Sequence, residues 1–280
     1  MEKAIKRYFP IFVLPTMIAF TLGFIIPFVE GVYLSFCKFT TVNDAKFIGF
    51  ANYAKVFADE TFVHAFWYTA VFTVVSVILI NVLAFAVALL LTKGFKGTNI
   101  FRTVFFMPNL IGGIVLGYIW QLLLNGILMN FSRTLTYSST YGFWGLIVLM
   151  CWQQIGYMMI IYIAGIQNIP GELIEAAEID GATKWQILKK VTIPMVMPSI
   201  TVCTFLTLTN SFKLFDQNLA LTNGEPSKMS EMLALNIFYT FYGRTGYEGV
   251  GQAKAVIFFI LVTVIALTQN YLTRRKEVQQ

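Results

Sequence analysis

Histidine is almost missing from this 280-residue chain: His64 is the only one. No His-based catalytic or metal cluster can therefore be built within a single copy. Cysteine is scarce too, with Cys37, Cys151 and Cys203 far apart and no CxxC pair. Neither a disulfide framework nor a zinc site is expected from that spacing. No Gly-Lys dipeptide occurs, so there is no Walker A loop to cradle a nucleotide. Charge is the largest deficit. Only 12% of residues are charged, against about 25% in an ordinary soluble domain. No internal repeat and no low-complexity tract breaks the chain.

What is present is apolar. Hydrophobic residues make up 57% of the chain and mean hydropathy is +0.70. Twenty-seven phenylalanines, with Tyr and Trp, suit apolar spans with interfacial belts. A membrane-spanning helix needs roughly 20 mostly apolar residues. Six windows meet that, at about 10–36, 63–92, 103–128, 142–166, 195–221 and 253–272. The sequence thus predicts an all-α membrane protein of six transmembrane helices, 1–280 being one membrane domain. The first window follows Lys3, Lys6 and Arg7 but is too long for a signal h-region, and reads as an uncleaved span.

The net charge of +6 sits in short clusters between apolar runs, a topology signal rather than a nucleic-acid surface. With the N-terminus in the cytoplasm, the inside holds Lys3, Lys6, Arg7, Lys93, Lys96, Arg102, Lys184, Lys189, Lys190, Arg274, Arg275 and Lys276. The outside holds half as many, with Lys254 at an outer edge. Both termini are then cytoplasmic. Pro15 and Pro27 are expected to interrupt the first span and Pro108 the third, since an interior proline removes one backbone bond and clashes with the preceding turn. Gly113 and Gly117 form a GxxxG that reads as close helix packing.

One stretch does not belong to a span. Residues 168–194 are polar and lie between the fourth and fifth windows. Pro170 suits a first helical turn, and Glu172, Glu175 and Glu178 follow at spacing three near the positive helix end. Asp180-Gly181 reads as a helix stop. Thr183 and Gln186 have capping-box spacing for a second helix, with Lys189 and Lys190 in its last turn and Pro194 ending it. Physics alone leaves two readings open: a loop helix lying on the membrane, or a docking element whose small Ala and Gly side chains admit another protein.

EAAEIDGA at 175–182, then WQ at 185–186 and VTIPMVMP at 191–198, closely resembles the EAA loop of ABC importer permeases. Leu188, Val191 and Ile193 depart from that pattern only by apolar-for-apolar exchange. FIGFANYAKVF at 47–57, the region 97–125 and SFKLFDQNLALTNGEP at 211–226 extend the resemblance over nearly the whole chain, toward carbohydrate-importer permeases of the maltose-permease-F-like and glycerol-phosphate-permease-A-like kind. The resemblance implies a type I ABC importer permease fold in a bacterial plasma membrane. It implies a heterodimer with a second paralogous permease, two cytoplasmic ATPases that bind ATP and Mg, an extracytoplasmic solute-binding protein and a carbohydrate substrate. This chain would hold no cofactor, metal or catalytic residue. Glu175, Ala176, Ala177, Asp180, Gly181 and Ala182 would carry the ATPase coupling.

A sugar pathway needs polar groups inside spans. The fourth window carries Gln153, Gln154 and Tyr157, in a region the pocket of related disaccharide permeases draws on, with Tyr157 matching an aromatic position there. Thr207, Asn210, Ser211 and Leu214 in the fifth share a helical face and match pocket-lining positions of the same relatives, Thr207 and Leu214 differing in type from the maltose case. Lys213 and Asp216, three apart, are expected to pair within the membrane, or one of them to snorkel to the interface. Asn81 reads as helix–helix glue, and His64 and Trp67 as an interfacial or packing pair. The alternatives are an ion-gradient-driven secondary transporter, and an ABC permease for glycerol phosphate or a polyol.

Overall fold

The computed structural model describes residues 2–94 and 96–274. Arg275 and Lys276, counted above among the inner charges, lie outside the described residues. The chain runs α1 (Glu2–Phe20), a π turn (Thr21–Ile25), α2 (Ile26–Leu34), strands β1 (Cys37–Lys38) and β2 (Lys46–Phe47), then α3 (Ala51–Phe57) and α4 (Glu60–Leu91). It continues with α5 (Thr98–Phe106), a 3-10 turn (Met107–Leu110), α6 (Gly113–Met129) and α7 (Ser139–Gln167). After these come α8 (Gly171–Ile179), α9 (Lys184–Ile187), a second π turn (Leu188–Thr192) and α10 (Ile193–Met195). Last are α11 (Met197–Phe212), α12 (Asp216–Leu221), α13 (Leu233–Tyr242) and α14 (Glu248–Arg274). Among the described residues, Val13–Leu34, α4, α7 and α14 are long and apolar enough to cross a bilayer alone. Two bent pairs raise the number to six.

The prolines act differently from one another. The first span is not interrupted at Pro15, where helix continues. Ahead of Pro27 the helix widens: Ile26 N–H donates to Thr21 O, five residues back. The wider turn keeps the helix running although the proline ring has no N–H and crowds the carbonyl four residues before it. Pro194 is met in the same way. Ile193 N–H donates to Leu188 O, so this helix does not end at Pro194, as the sequence suggested, but at Val196. Its axis then turns by 69° into α11. Pro108 breaks its helix as expected: a 3-10 turn forms and the two halves meet at 102°. The fifth window, 195–221, also divides, because α11 stops at Phe212.

Two compact units are recognised, each described by itself: the chain to Glu60 with Ile237–Ile260, and Thr61–Asn236 with the chain from Leu261 on. In the first unit β1 and β2 pair antiparallel, Cys37 opposite Phe47. The hairpin loop is held by Asp44, whose carboxylate accepts from Thr40 N–H at 3.0 Å and Thr41 N–H at 2.9 Å. Those two backbone donors lower its pKa, the Thr40 bond most. Asn52 Nδ2 donates to Ser35 O and Cys37 O. Lys254, placed by sequence at an outer edge, is instead wholly buried and pairs with Asp59 at 2.7 Å. Its ammonium also donates to Thr240 Oγ1 at 2.8 Å.

The second unit is built around α7. Some 61% of its span window is buried, against 28% for α4. Phe72, Leu116, Leu149, Met150, Met158, Tyr162 and Leu221 belong to its core. α7 meets α5 backbone to backbone at Gly156, where an added Cβ would lie 1.8 Å from Phe105 O. Asn81 does act as glue. It accepts from Tyr162 OH at 2.7 Å and donates to Thr207 Oγ1 at 3.3 Å, tying α4, α7 and α11. Asn218 folds the following loop back onto α12, donating to Ser230 O and accepting from Met232 N–H. His64 bonds Met229 O, and Trp67 is exposed.

Candidate functional site

Two surfaces of the second unit carry the residues singled out above. The first is the polar insert. Pro170 is the N-cap of α8 and Asp180 its C-cap. Gly181 then takes φ +76°, a left-handed conformation that a Cβ disfavours. Its N–H donates to Glu178 O and Ala182 N–H donates to Ala177 O, both at 3.0 Å, which together make a Schellman stop. One residue later Thr183 starts α9. Thr183 N–H donates to Gln186 Oε1 at 2.7 Å and Gln186 N–H donates back to Thr183 Oγ1 at 3.4 Å. A stop and a start thus abut with no slack, which fixes the angle between the helices.

That turn presents Glu175, Ala176, Asp180 and Gly181 to solvent, with Ala177 and Ala182 half-buried. A concavity of about 250 Å³ opens there, lined by Ala177, Asp180, Gly181, Ala182 and Gln186 among others. Ile179 is 86% exposed and Trp185 69% exposed, one on each side of the turn. Sequence reasoning singled out the small and acidic residues and passed over these two. The available signal was their apolar character inside an otherwise polar insert. Large apolar side chains thus stand exposed beside a hollow lined by small residues. α8 carries Glu172, Glu175 and Glu178, and the following turns carry Lys184, Lys189 and Lys190, so the two arms have opposite charge.

The second surface is a cavity of about 290 Å³ where α11 gives way to α12, lined by Met150, Gln154, Asn210, Lys213, Leu214, Phe215, Asp216 and Gln217. Three of the seven expected pathway residues, Gln154, Asn210 and Leu214, line it. Gln153 stands behind, accepting from Gln217 Nε2 at 2.8 Å and donating to Ile111 O at 3.4 Å. Asn210 Nδ2 reaches Gln154 Oε1 at 3.5 Å. The other three are elsewhere. Tyr157 lies tilted against Phe106, ring centroids 6.4 Å apart. Thr207 is wholly buried, donating to Cys203 O at 2.7 Å. Ser211 is wholly buried too. The expected helical face of Thr207, Asn210, Ser211 and Leu214 does not form, because Leu214 lies beyond the helix end at Phe212.

Lys213 and Asp216 do not pair. No ion pair joins the two. Lys213 caps the C-terminus of α11, where a cation suits the helix dipole, and Asp216 opens α12, where an anion does. The break between the helices separates them, and both face the cavity. Gln217, Phe215 and Met150 are lining residues the sequence did not single out. The GxxxG of α6 backs this wall: a Cβ on Gly117 would sit 2.5 Å from that of Ala220 on α12. No group of three metal-ligating side chains occurs among the described residues.

Comparison with known proteins is informative over almost the full length. The family described as Binding-protein-dependent transport system inner membrane component matches residues 80–278. A relative from Thermoanaerobacterium thermosulfurigenes, the probable starch degradation products transport system permease protein AmyD, is 42% identical over 96% of this chain and 94% of its own. The alpha-glucoside transport system permease protein AglF of Rhizobium meliloti is 32% identical over 92% of this chain and 80% of its own. Among solved structures, a chain of a bacterial ABC transporter involved in import of the acidic polysaccharide alginate superposes with a TM-score of 0.82. It covers 98% of both chains at 22% identity, a likeness of fold.

Proposed function

The chain belongs to the family of binding-protein-dependent transport system inner membrane components, and we propose that it is the transmembrane permease subunit of an ATP-driven importer of di- or oligosaccharides. It is a permease subunit and not an enzyme. The chain forms one permease domain in a bacterial plasma membrane with both termini in the cytoplasm. It supplies half of a translocation pathway, completed by a second paralogous permease. Two cytoplasmic ATPases bind ATP and Mg, and an extracytoplasmic binding protein delivers the sugar. Relatives named for starch products and alpha-glucosides support that substrate class.

The observation that carries this reading is the abutting stop and start around Gly181, with Ile179 and Trp185 exposed beside it. A chain with no nucleotide loop needs a rigid handle through which an external motor acts. The 180–183 turn is short, doubly hydrogen-bonded and continuous through the second π turn with the 69° bend into α11. Movement at the turn is therefore passed to the helix whose C-terminal break lines the cavity. Glu175, Ala176, Ala177, Asp180, Gly181 and Ala182 form the contact. Gln154, Asn210, Leu214, Lys213, Asp216 and Gln217 meet the sugar, the amides and charges exchanging hydrogen bonds with hydroxyl groups. One cation and one anion in the lining suit a neutral saccharide rather than a glycerol phosphate, which would call for clustered cations.

Uptake of radiolabelled maltotriose by cells carrying the complete transporter tests both parts. Gly181→Val forces a β-branched residue into a left-handed conformation. It is expected to abolish uptake and ATPase recruitment while the chain stays in the membrane at wild-type level. Wild-type uptake by that variant, or uptake surviving loss of the ATPases, contradicts the reading.

A further inference from the structure

A separate cavity of about 400 Å³ lies where α4 ends and α5 begins, lined in part by Thr92, Thr98, Asn99, Arg102 and Gln167. It shares no lining residue with the cavity at the α11–α12 break or with the hollow at Gly181. Among the described residues its one charged lining residue is a cation, Arg102. Lys93 and Lys96, both exposed, flank it in the connecting loop.

Among the described residues none of these three cations is joined to a carboxylate in an ion pair. No Asp or Glu occurs in the sequence between Glu60 and Glu172. Arg102 is also poorly held. Its Nη2 makes one long bond, 3.4 Å, to Leu91 O. Its Nε–H is shut off from solvent with no acceptor. An unmatched donor of this kind carries the full desolvation penalty of the group, and a single long bond does little to hold the guanidinium against turning to a better acceptor.

An anion with several acceptor oxygens suits this donor set. A guanidinium fork takes two oxygens of a phosphate side by side. The side-chain amides of Asn99 and Gln167 have donors for the remaining ones. Gly97, the N-cap of α5, has no side chain to compete for that helix end. We propose that this cavity binds a phosphate-bearing group. Two sources present the same chemistry. The loop joins two membrane segments and so lies at headgroup depth, where basic pockets between helices take anionic lipid headgroups; phosphate dissolved in the adjoining water is the other. The inference does not depend on the transported sugar or on the direction of transport.

The test uses the full chain in its assembled complex, stripped of lipid in detergent and examined by native mass spectrometry. One arm adds dioleoylphosphatidylglycerol and the other inorganic phosphate. Wild type is compared with Arg102→Gln, with the double variant Lys93→Gln/Lys96→Gln, and with Lys228→Gln as a control in another loop. Each cation removed from the site is expected to weaken retention about fivefold, and the control not at all. Loss in the lipid arm assigns a headgroup; loss in the phosphate arm alone assigns free phosphate; either supports the site. Equal retention of both probes by wild type and by the double variant, at matched melting temperature, overturns it. Because Lys93 and Lys96 are exposed, the double variant decides the matter even if Arg102→Gln does not fold.

Discussion

Asp59→Asn is expected to be among the most damaging isosteric changes in this chain. Lys254 has no exposed surface, and its ammonium stands 2.7 Å from the Asp59 carboxylate and 2.8 Å from Thr240 Oγ1. At an effective dielectric of about 20, two unit charges at that separation attract by roughly 6 kcal/mol before desolvation is counted. Most of that attraction offsets the loss of water around the ions. The substitution therefore does not cost the attraction itself; it leaves a buried ammonium facing a neutral amide, at about 3–5 kcal/mol. With a shift of about 2–4 °C per kcal/mol for a chain of this size class, melting of the detergent-purified protein is expected to fall by about 10 °C. Adding Lys254→Met removes the buried charge and is expected to restore at least half of that loss. A single variant melting within about 2 °C of wild type, or a double variant worse than the single, would refute the argument that Lys254 is buried as an ion held by Asp59.

Two further outcomes are expected. Gly156→Ala places a methyl 1.8 Å from Phe105 O, a backbone atom that cannot swing away, so α5 and α7 must separate at about 3 kcal/mol, read as a lower melting temperature with a normal membrane level. Asp44 has its folded pKa lowered by the Thr40 and Thr41 N–H groups. Its contribution is thus present above the ordinary carboxylate value of about 3.9 and lost as pH falls below it toward the folded value. Hydrogen-exchange protection of Thr40 and Thr41, corrected for intrinsic pH dependence, is expected to drop over that window in wild type and to be low and flat in Asp44→Asn.

The sequence was legible where local chemistry decides the outcome. Thr183 and Gln186 make their capping box, and Gly181 takes the left-handed turn, because both depend on residues a few positions away. Apolar length placed α4, α7 and α14 to within a few residues for the same reason. It failed where a distant neighbour decides. Nothing near Lys254 in sequence announces Asp59, so a lysine at the start of an apolar run looked like an interfacial residue. Thr207 has helical spacing to Asn210, yet Cys203 O and Asn81 draw it away from the cavity. The separation of Lys213 from Asp216 follows from a helix break that no proline or glycine marks.

The two π turns have a consequence for length. Each holds one residue more than an α-helical turn needs, directly ahead of a proline that a tighter turn would crowd. A helix advances about 100° per residue. In an unbroken α-helix a one-residue deletion would turn everything beyond it by about that angle; within 188–192 the widened turn can close to ordinary α geometry and absorb the deletion, leaving Asn210 and the rest of α11 in register. What the deletion removes is the room around the proline ring, so the surplus residue works as a spacer for Pro194.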